Sequence, residues 1–244
     1  GRNKSFEPCS CLCGSRHSEP DIGDGIFYMI KTVIFDLDGT LLNTLDDLAD
    51  SVNYALSAFG MKKKNLEEIR SFVGNGVGFL VKRSVPEGTD PQTEKEVFSV
   101  FREHYLHNLN NKTAPYDGVT GLLERLREKG IQTAVVSNKL HEAAVSLCTD
   151  NFGDRIDCIA GACGEKDRKP CPDNVFKCMN ILSAEGASTV YVGDSEVDIK
   201  TAENAGLKCV SVLWGFRTKE ELVPFGGKIF ISSPCELLDA IENL

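Results

Sequence analysis

The chain has 244 residues, room for one large domain or two small ones, and 41% of them are hydrophobic, as expected of a globular protein with a substantial core. A formal net charge of −9 supplies no basic face for a nucleic acid, and no apolar stretch is long enough to span a bilayer, so nucleic-acid and membrane partners are set aside. Small anionic substrates stay open, because local donors and metal ions hold them whatever the global charge.

Residues 1–28 lack the apolar core of a secretory signal and are expected to be a disordered or tag-derived leader. They hold a cluster, Cys9, Cys11 and Cys13, that could bind a soft metal but has no matching partners at zinc-finger spacing. From Cys148 onward the cysteines fall singly in apolar segments and read as buried free thiols, and the expected location is the cytoplasm. After Met29, Val33-Ile34-Phe35 reads as a central strand of a parallel sheet. Residues 46–59 then place Leu48, Val52, Leu56 and Phe59 on one helix face, and further helices are predicted over 66–72, 77–85 and 93–109, separated by breakers such as Gly74-Asn75-Gly76. Ala114-Pro115-Tyr116-Asp117-Gly118 is a hinge signal.

Beyond it the rhythm alternates. Helices are predicted over 122–129, 141–149, 174–182 and 198–205, and strands over 131–136, 156–160, 189–192, 208–212 and 228–231. The reading is an α/β fold, a Rossmann-like doubly wound parallel sheet, with core residues 29–42 and 116–244 and an inserted helical cap, 43–115, over the carboxyl edge of the sheet.

Charge collects where strands end. Asp36 and Asp38 stand two residues apart after the first strand, so both carboxylates reach one side of it, and Gly39 lets the backbone turn close to a ligand. An acidic turn with Asp36 as a helix cap would explain the same residues. Ser137-Asn138 follows another strand and could donate to a phosphate oxygen or cap the helix at His141. Lys169 sits in a loop stiffened by Pro170 and Pro172, and Asp194 and Asp198 follow a third strand one helical turn apart, where each also suits a helix start.

Taken together, Asp36-Leu37-Asp38-Gly39-Thr40, Ser137-Asn138, Lys169 and Gly193-Asp194-Ser195-Glu196-Val197-Asp198 resemble the four motifs of the haloacid dehalogenase superfamily, from about residue 30 to the last strand. Ala202-Glu203-Asn204-Ala205-Gly206, Lys169-Pro170-Cys171-Pro172-Asp173, Val73-Gly74-Asn75-Gly76-Val77 and Trp214-Gly215-Phe216 are similar to its phosphoglycolate phosphatase branch. The resemblance implies Asp36 as nucleophile, Asp38 as general acid and base, Ser137 and Asn138 as donors to the transferring phosphoryl group, and Lys169 as its counter-charge, with Gly39 and Thr40 beside the substrate. It implies Mg2+ on Asp36, Asp194 and the main-chain carbonyl of Asp38, with Asp198 as an extra ligand or support.

The helical block resembles a C1-type cap, in which Asn75 and Gly76 let amides approach a ligand and Lys82 or Arg83 could meet a substrate carboxylate. His17, His104, His107 and His141 match no motif. The chain departs from many relatives at Asn43-Thr44 and at Asp117, near the cap hinges, where no effect on the chemistry is expected. The implied function is a Mg2+-dependent phosphatase of a small phosphorylated metabolite, 2-phosphoglycolate first, acting as a monomer or homodimer. Inorganic pyrophosphatase, nucleotide monophosphatase, a β-phosphoglucomutase-like enzyme and an inactive phosphate-binding module are the alternatives.

Overall fold

The structure, a computed structural model, describes residues 29–244, so Cys9, Cys11, Cys13 and His17 lie outside the described residues. The first strand, β1 (Thr32–Phe35), is buried on both faces: Val33 and Phe35 enter the larger of two apolar cores and Ile34 the smaller. With no solvent face, the strand has no polar alternation and reads as a continuous apolar run.

β2 (Leu42–Asn43) leads into α1 (Leu45–Ala58), α2 (Leu66–Phe72), α3 (Val77–Ser84) and α4 (Pro91–Asn108), and β3 (Ala114–Pro115) returns. β2 and β3 pair antiparallel, Leu42 with Pro115 and Asn43 with Ala114, so the chain leaves and re-enters the core through one ribbon. Two-residue strands are too short to show a period, and the sequence marks the place only by its Pro and Gly. Local signals set the helix starts. Asn65 and Glu68 exchange bonds with each other's backbone N–H at the head of α2, and Asp90 accepts from the N–H groups of Gln92 and Thr93 ahead of Pro91 in α4. The inward faces of these helices, including Val52, Leu56, Leu80, Val97 and Phe101, belong to the same apolar core as the sheet.

The remainder alternates: α5 (Val119–Glu128), β4 (Gln132–Leu140), α6 (His141–Phe152), β5 (Cys158–Ala162), α7 (Asp173–Leu182), β6 (Thr189–Gly193), α8 (Glu196–Ala205), β7 (Lys208–Val212), α9 (Lys219–Leu222), β8 (Ile229–Ile231) and α10 (Leu237–Glu242). Six parallel strands lie in the order β5-β4-β1-β6-β7-β8, a Rossmann-like α/β core flanked by helices. From β1 the chain builds outward to β4 and β5, then crosses back through α7 to β6 on the other side of β1 and builds outward again, which makes the carboxyl ends of β1 and β6 the switch point where such sheets bind ligands.

Two expectations change. β4 extends past residue 136 through Ser137, Asn138 and Lys139, with a register irregularity between Ser137 and Leu140, because pairing with β5 continues there. Ser137 and Asn138 therefore cap no helix. The thiols are not uniformly buried either: Cys148, Cys158 and Cys178 are, whereas Cys163 and Cys235 lie exposed in turns that the apolar neighbours did not reveal. Among the described residues no helix is long and apolar enough to cross a membrane.

Candidate active site

Asp36 leaves β1 with its N–H bonded to Val192 O at 2.9 Å on β6, which aims the following turn over the carboxyl edge of the sheet. Gly39, at φ +87°, closes that turn through its N–H to Leu42 O. A Cβ at Gly39 would collide with the Asp194 carboxylate and the Phe216 ring, and one at Gly215 with Gly39 O and Asp194. Glycine at both places lets the loops after β1 and β7 close around Asp194. Thr40 completes that cradle: its hydroxyl donates to Asp194 Oδ1 at 3.3 Å and its carbonyl accepts from Trp214 Nε1 at 3.0 Å. Gly39 and Thr40 thus shape Asp194 and do not line the cavity described below.

Asp36, Asp194 and Asp198 each bring a carboxylate oxygen within 4.8 Å of the others, and all three are buried. Lys169 Nζ lies 2.8 Å from Asp36 Oδ1 and 2.7 Å from Asp198 Oδ1. One buried ammonium against three buried carboxylates leaves two negative charges uncompensated. Burial, then the charge of Asp198, pushes the Asp36 carboxyl up to about 7 despite Lys169. Burial, then Asp198 and Asp36, holds Asp194 well above the ordinary carboxylate range. Burial works against the Lys169 charge, but Asp198 and Asp36 outweigh it and raise its pKa.

The oxygens are unequally engaged. Asp198 is the most engaged: Oδ1 accepts from Lys169 Nζ, Oδ2 accepts from Ser195 N at 3.0 Å and Ser195 Oγ at 2.6 Å, and the Tyr191 hydroxyl, 3.3 Å from Oδ1, divides its one proton between Asp198 and Val136 O at 3.2 Å. It supports Lys169 and the start of α8 while keeping an oxygen within 4.8 Å of those of Asp36 and Asp194. Asp36 Oδ1 is buried without an aligned hydrogen bond, Lys169 notwithstanding, and Asp194 Oδ1 has only the long Thr40 contact. An oxygen-only pair with two charges to spare suits a hard divalent cation.

Asp38 lies at the rim, its Oδ1 accepting from Thr44 Oγ1 at 2.6 Å and from Lys139 Nζ at 2.7 Å. Thr44 of the Asn43-Thr44 departure is therefore in direct contact with Asp38. Sequence reasoning also passes over Lys139, a third polar residue after Ser137-Asn138; the one signal for it was charge continuing an apolar strand. Tyr191, masked within its strand as an aromatic, was equally hidden.

Asp36, Asp38, Ser137, Asn138 and Lys139 form one wall of a cavity of about 30 Å³, and Leu48, Val73, Val77 and Leu80 of the helical block, with Gly74 and Gly76, form the other. The Asn138 side chain is not free for a phosphate. Its Nδ2 donates to Gly74 O at 3.1 Å and to Lys169 O at 3.2 Å, and its Oδ1 accepts from Lys169 N at 2.7 Å. Asn75 and Lys82 line a separate outer groove, and Arg83 stacks on the rings of Phe72 and Phe79, so none of the three reaches this cavity. His104 stacks on Tyr54, His107 bonds its own helix and His141 accepts from Gly161 N, all as structural contacts.

A profile of the family described as haloacid dehalogenase-like hydrolase matches residues 33–212. The phosphoglycolate phosphatase of Aquifex aeolicus is 31% identical over 215 residues, covering 88% of this chain and 98% of its own. That of Cereibacter sphaeroides is 37% identical over 190 residues, covering 76% and 86%. The crystal structure of a candidate phosphoglycolate phosphatase from Lactobacillus delbrueckii subsp. bulgaricus superposes with a TM-score of 0.83 at 33% identity, over 87% of this chain and 98% of that one.

Proposed function

The chain belongs to the haloacid dehalogenase-like hydrolases and is a phosphoric monoester hydrolase, and from that premise we propose that it is a Mg2+-dependent phosphatase of small phosphate esters, 2-phosphoglycolate first, acting through an aspartyl-phosphate on Asp36. The observation that carries this reading is the buried cluster of Asp36, Asp194 and Asp198 with Lys169 as its one ammonium, Asp36 facing a cavity that Asp38 and Ser137 also line. The substrate follows from the relatives and from the other wall: Leu48, Val73, Val77 and Leu80 offer no donors for sugar hydroxyls, and the narrow space favours a short leaving group.

Asp36 attacks phosphorus as the bond to the ester oxygen breaks, with the electron pair going to that oxygen. Asp38 gives the leaving alkoxide its proton, then takes one from the water that hydrolyses the acyl phosphate and frees Asp36. Ser137 Oγ donates to the transferring phosphoryl oxygen, and Lys169 balances charge on Asp36 while held by Asp198. Asp36, Asp194 and the Asp38 carbonyl would hold Mg2+, which when bound neutralises phosphoryl charge. Asn138 acts by tying the Lys169 loop and Gly74 to β4.

Phosphate release from a panel of phosphomonoesters and pyrophosphate, with Mg2+ and with EDTA, tests this. Turnover that needs Mg2+, prefers 2-phosphoglycolate and disappears in Asp36→Asn is the expected result; turnover surviving in Asp36→Asn refutes the covalent route.

A further inference from the structure

Two lysines are buried among the described residues, Lys169 and Lys139. The carboxylate cluster accounts for Lys169. Lys139 stands apart from it, two residues beyond Ser137, with 2% of its surface exposed. Its Nζ lies 2.7 Å from Asp38 Oδ1 and 5.0 Å from the ring centroid of Tyr105, a buried residue of α4. A buried ammonium is strongly disfavoured unless it is well paired, so this one is held by its contacts. Thr44 Oγ1 donates to the same Asp38 oxygen at 2.6 Å. Both donors thus converge on Oδ1, and among the described residues none donates to Oδ2.

We propose that Lys139 is a positioning residue for proton transfer: with Thr44 it fixes Oδ1 of Asp38 and so presents Oδ2 to the ester oxygen of the substrate. The inference rests on the phosphatase reading above, in which Asp38 is the acid. In the step concerned, the proton on Oδ2 passes to the leaving oxygen as that oxygen takes the electron pair of the breaking P–O bond. A carboxylate oxygen with a single donor leaves the group free to swing about its Cβ–Cγ bond. Two donors on Oδ1 from different elements, β4 and the segment before α1, fix the place of that oxygen and with it the torsion that sets Oδ2. The Tyr105 ring covers the other side of the ammonium without offering it a competing anion.

The rival explanation is a buried ion pair that serves stability only. The two part company on the leaving group. An alkyl phosphate such as 2-phosphoglycolate needs its departing oxygen protonated, whereas p-nitrophenyl phosphate releases a stabilised phenolate that does not. kcat/KM, which covers steps through release of that group, is compared for the full chain with Mg2+ as wild type, Lys139→Met, Lys139→Arg and Thr44→Val. Lys139→Met is expected to lose about 100-fold on the alkyl ester, the scale of a misplaced catalytic group, and less than about 3-fold on the aryl ester. Lys139→Arg should recover part of the alkyl activity, and Thr44→Val should shift the same ratio in the same direction by about tenfold. Equal losses on both esters, or none on either, overturn the proposal. If Lys139→Met does not fold, the near-isosteric Thr44→Val decides it by the same ratio. Wild type inactive on both esters would instead sink the phosphatase reading, and this inference with it.

Discussion

At the floor of the cavity Asp36 is crowded from beneath by Asp194, Asp198 and Lys169, all buried. Its roof, by contrast, presents Leu48, Val73, Val77 and Leu80, with the block's lysines and Arg83 turned outward. The floor concentrates charge that destabilises the fold and is tolerated for its reactivity. The roof adds no charge of its own; it excludes water and limits size, which strengthens every electrostatic interaction beneath it. Chemistry and selectivity are therefore separable, and substitutions in the two walls should fail in different ways.

The largest effect belongs to the floor. Asp36→Asn should lower kcat by on the order of 10⁴-fold or more, because it removes the nucleophile while keeping its shape. Its thermal melting, followed without metal, should stay level or rise, since one buried negative charge is gone. A variant that lost activity together with its fold would remove the distinction between the walls.

Next comes the pH dependence of the metal-free protein. The folded Asp36 carboxyl titrates at about 7 against an ordinary 3.8, so its protonated form favours the folded state. That contribution is full below about 4 and is lost as pH rises through 7, on the order of a few kcal/mol. Asp194 is shifted in the same direction. Unfolding midpoints in EDTA should thus fall between pH 4 and 8 relative to Asp36→Asn, and saturating Mg2+ should flatten the difference by favouring the ionised pair. A wild-type slope unaffected by Mg2+ would contradict the cation site.

The two walls also differ in how much their residues disclosed. Asp36, Asp38 and Asp194 directly follow strands, Ser137 interrupts the apolar run of β4, Lys169 lies in the loop before α7 and Asp198 in the first turn of α8, and each break of an apolar run into polar residues is visible without coordinates. What those groups do is less visible. Asp198 fits a metal ligand or a helix start equally by spacing, and only its bonds from Lys169 Nζ, Ser195 N and Ser195 Oγ show that it anchors Lys169 and Ser195. Asn138 looks like a phosphate donor until its amide is found on Gly74 and Lys169. Lys139 is paired with Asp38, 101 positions away, a partnership that no local pattern encodes. The roof was legible as helices with apolar faces, but which face meets the floor depends on the β2–β3 ribbon, too short to leave a period. That is why Lys82 and Arg83 were assigned to the substrate and lie elsewhere.

The seam between the walls should show intermediate effects. Arg217, from the loop after β7, donates to Arg70 O at 3.2 Å and Val73 O at 2.9 Å at the end of α2 while paired with Glu196 at 3.1 Å. Asn138 makes a second link near the cavity, to Gly74. Arg217→Ala loses charge-assisted bonds worth about 1.5–3 kcal/mol and should cost about tenfold in kcat/KM, with faster amide exchange at the end of α2. Asn138→Ala also frees the Lys169 loop and should cost more, up to about 100-fold. Equal effects from both would mean that Asn138 serves the seam alone.

The smallest effect is expected from Lys82→Ala and Arg83→Ala, and it is the sharpest check on the roof. Both side chains are exposed on α3, and Arg83 spends its guanidinium on Phe72 and Phe79, 5.1 and 5.9 Å from the ring centroids. Losing that stacking should lower stability by about 0.5–1 kcal/mol, readable as a small drop in melting temperature. Activity on 2-phosphoglycolate should stay within about twofold for either variant, as for surface changes away from a site. The informative failure is a specific one: KM raised tenfold with kcat unchanged would mean that binding had been removed equally from ground and transition states. A cation on the outer face of α3 can do that only if α3 rotates as the substrate enters. The apolar roof would then describe the resting arrangement, and selectivity would reside in the rotation.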